Sequence, residues 1–169
     1  TGVEIAAVDR DGEFARAKGL NRQVVRGADI MTRLEFAQNN GTEPLYEIAD
    51  AQVGKMLDQL RAAIAKKSPG AVEKKTMTIA GNSAVMSFVA KLPIESLATS
   101  PYQPATLAPQ TLTLGGVETT TLPLLNSFVG GDLFAGIFHL WSSRDDFEEP
   151  WILMDVGTNS EIILYDGEK

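Results

Sequence analysis

Residues 76–92, TMTIAGNSAVMSFVAKL, decide the fold class. Thr76 to Ala80 reads as a short strand closed by Gly81-Asn82. Asn82 or Ser83 then caps a helix that runs on through Leu92. A strand, a turn of small residues and a helix make the βα unit of an α/β protein. Upstream, Leu45, Ile48, Ala49, Met56, Leu57, Leu60 and Ile64 form one apolar stripe, with Asp58, Arg61 and Lys66 facing away. That pattern predicts a long helix from Thr42 or Glu43 to Ser68-Pro69-Gly70. A shorter helix precedes it, with Ile30, Met31, Leu34 and Ala37 at helical spacing and Asn39-Asn40-Gly41 as its stop. At the front, Val3, Ile5 and Ala7 alternate with Glu4 and Ala6. Asp11-Gly12 reads as a tight turn and Glu13 to Leu20 as the returning strand.

Downstream, residues 93–110 are a Pro-rich irregular connection, suspect as a partner or regulatory segment. Two short strands flank Gly115-Gly116, and a helix follows from Gly130-Gly131-Asp132 through residue 143. Residues 144–150, RDDFEEP, form a charged loop, and a second hairpin closes the sequence. The order predicts an α/β fold with a mixed sheet, β-hairpins at both ends and flanking helices, all in one lobe over residues 1–169.

The 169 residues carry 15 basic and 22 acidic side chains, a net charge of −7, with no basic stripe. That argues against nucleic-acid binding. No cysteine is present, so the chain can build no disulfide and no iron–sulfur cluster on thiolates. No run reaches membrane-span length, and a cytoplasmic location is expected.

The closing hairpin raises the chemical question. An apolar run, Ile152 to Met154, ends in Asp155, turns through Gly157-Thr158-Asn159-Ser160, and returns as Ile162 to Leu164. A nucleotide polyphosphate needs exposed N–H donors, hydroxyls and room for close approach. Its Mg²⁺ keeps several waters and is held through one or two carboxylates. Asp155 and the turn offer those groups. Ordinary hairpins also favour Asp, Gly and Asn, so a phosphate loop and a plain turn both remain open. Asp132, after Gly130-Gly131, stands at the positive end of a helix, where a helix cap is the competing reading. Thr1-Gly2 on the first hairpin suggests a second phosphate loop facing the same cleft.

Four strings carry a family resemblance: LNRQVVRGADIMTRLEFA (20–37), IAGNSAVMSFVAKLPIESLATSPYQPA (79–105), FVGGDLFAGI (128–137) and LMDVGTNSEIIL (153–164). Together they resemble the ATPase domain of reductive activators of corrinoid proteins. These belong to the superfamily of actin, sugar kinases and heat-shock chaperone ATPases. The resemblance implies an actin-like, ribonuclease H-like lobe. It implies that Asp155, Gly157, Thr158, Asn159 and Ser160 form the second phosphate loop. Asp132, with Gly130 and Gly131, is then the connecting-helix acid, and Thr1 and Gly2 are the tail of the first loop. Asp132 and Asp155 are the expected catalytic and metal-holding residues, and ATP and Mg²⁺ the expected cofactors. The Asp-x-Gly expected before Thr1 is absent, as are an adenosine-binding segment after Lys169 and a cysteine-rich module. The chain is therefore expected to be a fragment, inactive alone. Its expected partners are a missing second lobe, a ferredoxin-type module carrying the iron–sulfur cluster, and a corrinoid protein. An exposed lobe surface makes a homo-oligomer an open expectation.

The implied activity couples ATP to uphill electron transfer that restores Co(I) from Co(II). Rival readings are a lobe of a small-molecule kinase of the same superfamily and a non-catalytic α/β protein-binding domain. Gly81-Asn82-Ser83 could cap its helix or line the cleft. His139, Trp141, Trp151 and Tyr102 are read as packing or surface residues, and Asp29 as a helix cap.

Overall fold

One long helix organises the chain. The computed structural model describes residues 2–9, 12–67, 76–143, 149–156 and 160–167, with Asp9 and Phe14 described by backbone alone. Helix α2 spans Glu43–Lys67, 25 residues and so about 37 Å of rod. Its stripe falls where the apolar spacing predicts: Leu45, Val53, Met56 and Leu60 are buried, while Asp58, Arg61 and Lys66 face solvent.

Strands β1 (Gly2–Asp9) and β2 (Gly12–Leu20) form an antiparallel hairpin laid across the later turns of α2. Ala15 and Ala17 are buried against Met56 and Leu60, with Val3, Ile5 and Ala7 packed alongside. These small side chains let helix and hairpin approach closely. The opposite face carries Glu4 paired with Arg16 and Lys18, and Glu13 paired with Arg16. Asp9 lies opposite Gly12, so the connection is residues 10–11. The expected Asp11-Gly12 turn falls partly outside the described residues.

Between β2 and the next helix lies a short 3-10 turn, Arg22–Arg26, which residue periodicity does not reveal. Helix α1 (Ile30–Asn40) starts at Asp29, whose carboxylate accepts the Thr32 N–H at 2.8 Å, and stops at Gly41 with φ 77°. Leu34, Ala37, Leu45, Ala84, Phe88, Ile94 and Leu97 form the main core.

The mixed sheet has three strands in the order β3 (Thr76–Ile79), β5 (Val117–Thr121), β4 (Thr111–Leu114), with β3 parallel and β4 antiparallel to β5. The hairpins at both ends are separate two-stranded sheets. They stand apart because each rests on a helix rather than pairing with the central ladder. The β4–β5 turn is fastened to α2: Asp50 accepts the Gly115 N–H at 2.7 Å and the Tyr46 hydroxyl donates to the Thr113 carbonyl at 2.8 Å.

Helix α3 is Ser83–Val89 and stops short of the expected Leu92. The Leu92 N–H donates to the Ser87 carbonyl and the Lys91 N–H to that of Phe88. Lys91 has φ 53°. This is a Schellman ending with lysine where glycine usually sits, so no glycine announces it. The Pro-rich connection does more than cover the surface. It contains α4 (Glu95–Ala98), and Ile94 and Leu97 enter the main core beside Phe88. Helix α5 (Gly131–Ser143) leads to the closing hairpin, β6 (Trp151–Val156) and β7 (Ser160–Tyr165).

Candidate functional site

Strands β6 and β7 place the candidate carboxylate. Their register sets Val156 opposite Ser160 and Asp155 opposite Glu161. The three residues between, Gly157, Thr158 and Asn159, lie outside the described residues, as does Thr1. Directly opposed residues in an antiparallel pair bring their Cβ atoms within about 5 Å, and like charges there repel. Asp155 and Glu161 therefore face one another at the mouth of the turn, and neither forms an ion pair among the described residues. Two hard oxygen donors suit Mg²⁺ in type. Glu161 was not among the expected site residues. Its signal is its position six residues after Asp155, across a three-residue turn.

The hairpin rests on α5. Leu153 meets Gly136, where an added Cβ would lie 3.3 Å from the leucine Cδ2. Asp132 precedes that contact by one helical turn, and Asp155 follows it by two residues. Asp132 is exposed in the first turn of α5, its Oδ1 accepting the Leu133 N–H at 2.9 Å. Trp151 stacks on Tyr165 across the hairpin, with ring centroids 5.5 Å apart.

Gly130 and Gly131 do a different job. Both are buried. A Cβ on Gly130 would stand 2.4 Å from the Asn82 Cα and from the Gly81 carbonyl oxygen. The Gly131 N–H donates to that same oxygen at 2.9 Å. These glycines let the start of α5 cross the β3–α3 turn backbone to backbone. The Gly131 donor is thus engaged, and the space on the Cβ side of Gly130 is filled by protein. Gly81-Asn82-Ser83 is a cap: the Asn82 side chain accepts the Val85 N–H at 2.9 Å, and the buried Ser83 hydroxyl donates to the Asn126 carbonyl at 3.0 Å.

Gly2 opens β1 opposite Leu20, on the hairpin carried by α2. Asp155 and Ser160 lie on the hairpin carried by α5. No strand of one hairpin pairs with a strand of the other. His139 is exposed on α5, and Tyr102 leans on Phe128 at 5.9 Å.

A second feature lies at the β2–α1 junction. Asn21 caps the 3-10 turn, accepting the Gln23 N–H at 2.9 Å. Gln23, 1% exposed, donates to the Leu45 carbonyl at 3.0 Å. Gln52 of α2 accepts the Arg22 N–H at 2.8 Å and donates to the Leu20 carbonyl at 2.7 Å. Arg33, 1% exposed, donates from Nε to the Asp29 carbonyl at 3.0 Å, while its Nη1 has no partner among the described residues. Burial pushes this guanidinium below its ordinary value, opposed by the charge of Asp29.

A protein-family model described as the RACo middle region matches residues 2–141. The match ends within α5, before the β6–β7 hairpin. A solved structure titled a reductive activator for corrinoid, iron-sulfur protein superposes with a TM-score of 0.78 at 24% sequence identity. The alignment covers 98% of this chain and 28% of that one, so the fold is shared with a much longer protein. No curated protein matches the sequence. Among the described residues, no helix is long and apolar enough to cross a membrane.

Proposed function

On the premise that the chain belongs to the RACo middle region family, we propose that it serves an ATP-dependent reductive activator of a corrinoid protein, returning its cobalt from Co(II) to Co(I). Residues 2–141 hold the unit together, and the closing hairpin supplies nucleotide contacts. The observation that carries this reading is the family match over residues 2–141 together with a hairpin, beginning at Trp151, whose Asp155 and Glu161 are paired across its two strands.

In this reading Asp155 and Glu161 hold Mg²⁺ through its waters, and Asp132 lends a further carboxylate from α5. Gly157, Thr158, Asn159 and Ser160 form the phosphate loop. Gly130 and Gly131 bring the start of α5, and with it Asp132, against the β3–α3 turn. The reading rests on the last hairpin; Gly2 stands on a different one. Bound MgATP supplies a phosphoryl group whose transfer needs positioning and charge neutralisation more than covalent help. Closure around it biases one conformation over another. The electron enters from an iron–sulfur module outside this chain, which has no cysteine to ligate one.

In the full-length activator, Asp155→Ala should abolish ATP hydrolysis and leave the circular dichroism spectrum and unfolding midpoint unchanged. Hydrolysis at the wild-type rate would reject the assigned loop.

A further inference from the structure

We infer that the turn from Leu20 to Arg26 is a docking surface for an acidic protein segment with an apolar anchor; resting on the reading above, that segment belongs to the corrinoid protein. The turn exposes what a fold normally hides. Leu20 is 77% exposed and Val25 72%, with Val24 beside them. Isolated apolar residues on a surface are ordinary, but three within six positions form a patch.

The turn is also held rigid. The amides of Asn21, Gln23 and Gln52, all three buried, satisfy the backbone on both sides of it. A surface ordered before it meets its partner loses less freedom on binding. The same network that satisfies these buried amides fixes the exposed side chains of Leu20, Val24 and Val25 in place.

Charge selects the occupant. Arg22 and Arg26 flank Val24-Val25, and neither forms an ion pair among the described residues, although Arg16, Lys18, Arg61 and Lys91 all do. Arg26 lies over the Phe36 ring at 5.2 Å. The neighbouring Asp29 carboxylate caps α1 and offsets the buried Arg33, so Arg22 and Arg26 are the exposed cations of the turn. The whole chain carries −7, so its field repels an acidic partner elsewhere and admits it in one orientation here. The apolar centre distinguishes a protein partner from a free anion.

The test uses the full-length activator and its corrinoid protein, with binding followed by isothermal titration from low to high salt. The Arg22→Glu/Arg26→Glu pair and, separately, Val25→Asp should each weaken binding about tenfold or more. The double variant should also flatten the salt dependence. Both should hydrolyse ATP alone at the wild-type rate and unfold at the wild-type midpoint. Wild-type affinity in both variants would overturn the inference while leaving the activator reading intact. A wild-type activator that neither binds the corrinoid protein nor hydrolyses ATP would remove both. A self-associated dimer dissolved by the same substitutions would assign the surface to a second copy instead, and overturn the inference.

Discussion

Adding one methyl group at Gly130 should cost this protein much of its stability. The new Cβ would lie 2.4 Å from the Asn82 Cα, 2.4 Å from the Gly81 oxygen and 2.8 Å from the Asn82 carbonyl carbon. Carbon atoms in comfortable contact sit at about 3.5–4.0 Å, so the two backbones must part by about 1 Å. None of the opposing atoms is the end of a flexible side chain. Overpacking of this kind costs about 1–3 kcal/mol. Parting also strains the Gly131 N–H bond to the Gly81 oxygen, with loss of about 1 kcal/mol more. The sum, about 2–4 kcal/mol, should move the urea midpoint by about 1–2 M. Thermal unfolding should fall by about 5–15 °C. Urea titration of wild type, Gly130→Ala and the control Gly2→Ala measures this directly. At Gly2 the added methyl meets only the Gly19 oxygen, at 3.6 Å, and should change little. A Gly130→Ala protein within about 0.5 kcal/mol of wild type would refute the packing role. If that variant also lost nucleotide binding, the glycine would belong to a phosphate site after all.

Gln52→Ala should cost about 1–2 kcal/mol, because it removes the partners of the Arg22 N–H and the Leu20 carbonyl at a partly buried site; amide exchange of Arg22 should accelerate well beyond that of α2. Asp29 has its carboxyl held below the ordinary value by hydrogen bonds from the Thr32 backbone and side chain. Its stabilisation is complete above the unfolded value of about 3.9 and fades as pH falls through the lower folded value. Asp29→Ala should therefore lower the unfolding midpoint at neutral pH, with the gap to wild type closing in acid. Without nucleotide, Glu161→Gln should stabilise the closing hairpin by a few tenths of a kcal/mol by relieving its repulsion with Asp155; hydrogen exchange in β6 and β7 would reveal it, and faster exchange would contradict the pairing.

The sequence shows some of this plainly. The stripe on α2 is legible because a long helix against a core repeats one rule over seven turns. Asp29 and Asn82 are legible because capping is local. The end of α3 is not, because Lys91 occupies the left-handed position without glycine to mark it. The turn at Arg22–Arg26 has no period to detect, and its amide partners lie on a helix some 30 residues later. Strand alternation reveals each hairpin but not its independence from the central sheet, since pairing is decided by tertiary contacts. At the candidate site, Gly130-Gly131 before an acid suits a phosphate corner and a backbone crossing equally well. The crossing itself shows only in the position of Gly81 and Asn82 beside Gly130.

The long helix α2 has a mechanical consequence. Glycine inside a helix is its most compliant residue, and Gly54 sits near the middle of the rod. The β4–β5 turn presses on that point: a Cβ on Gly115 would stand 2.8 Å from the Gly54 nitrogen, and Asp50 grips the same turn. The sheet thus splints the one joint at which the strut could flex. Bending of the strut between the first hairpin and Leu45 in the main core is thereby opposed by the central sheet.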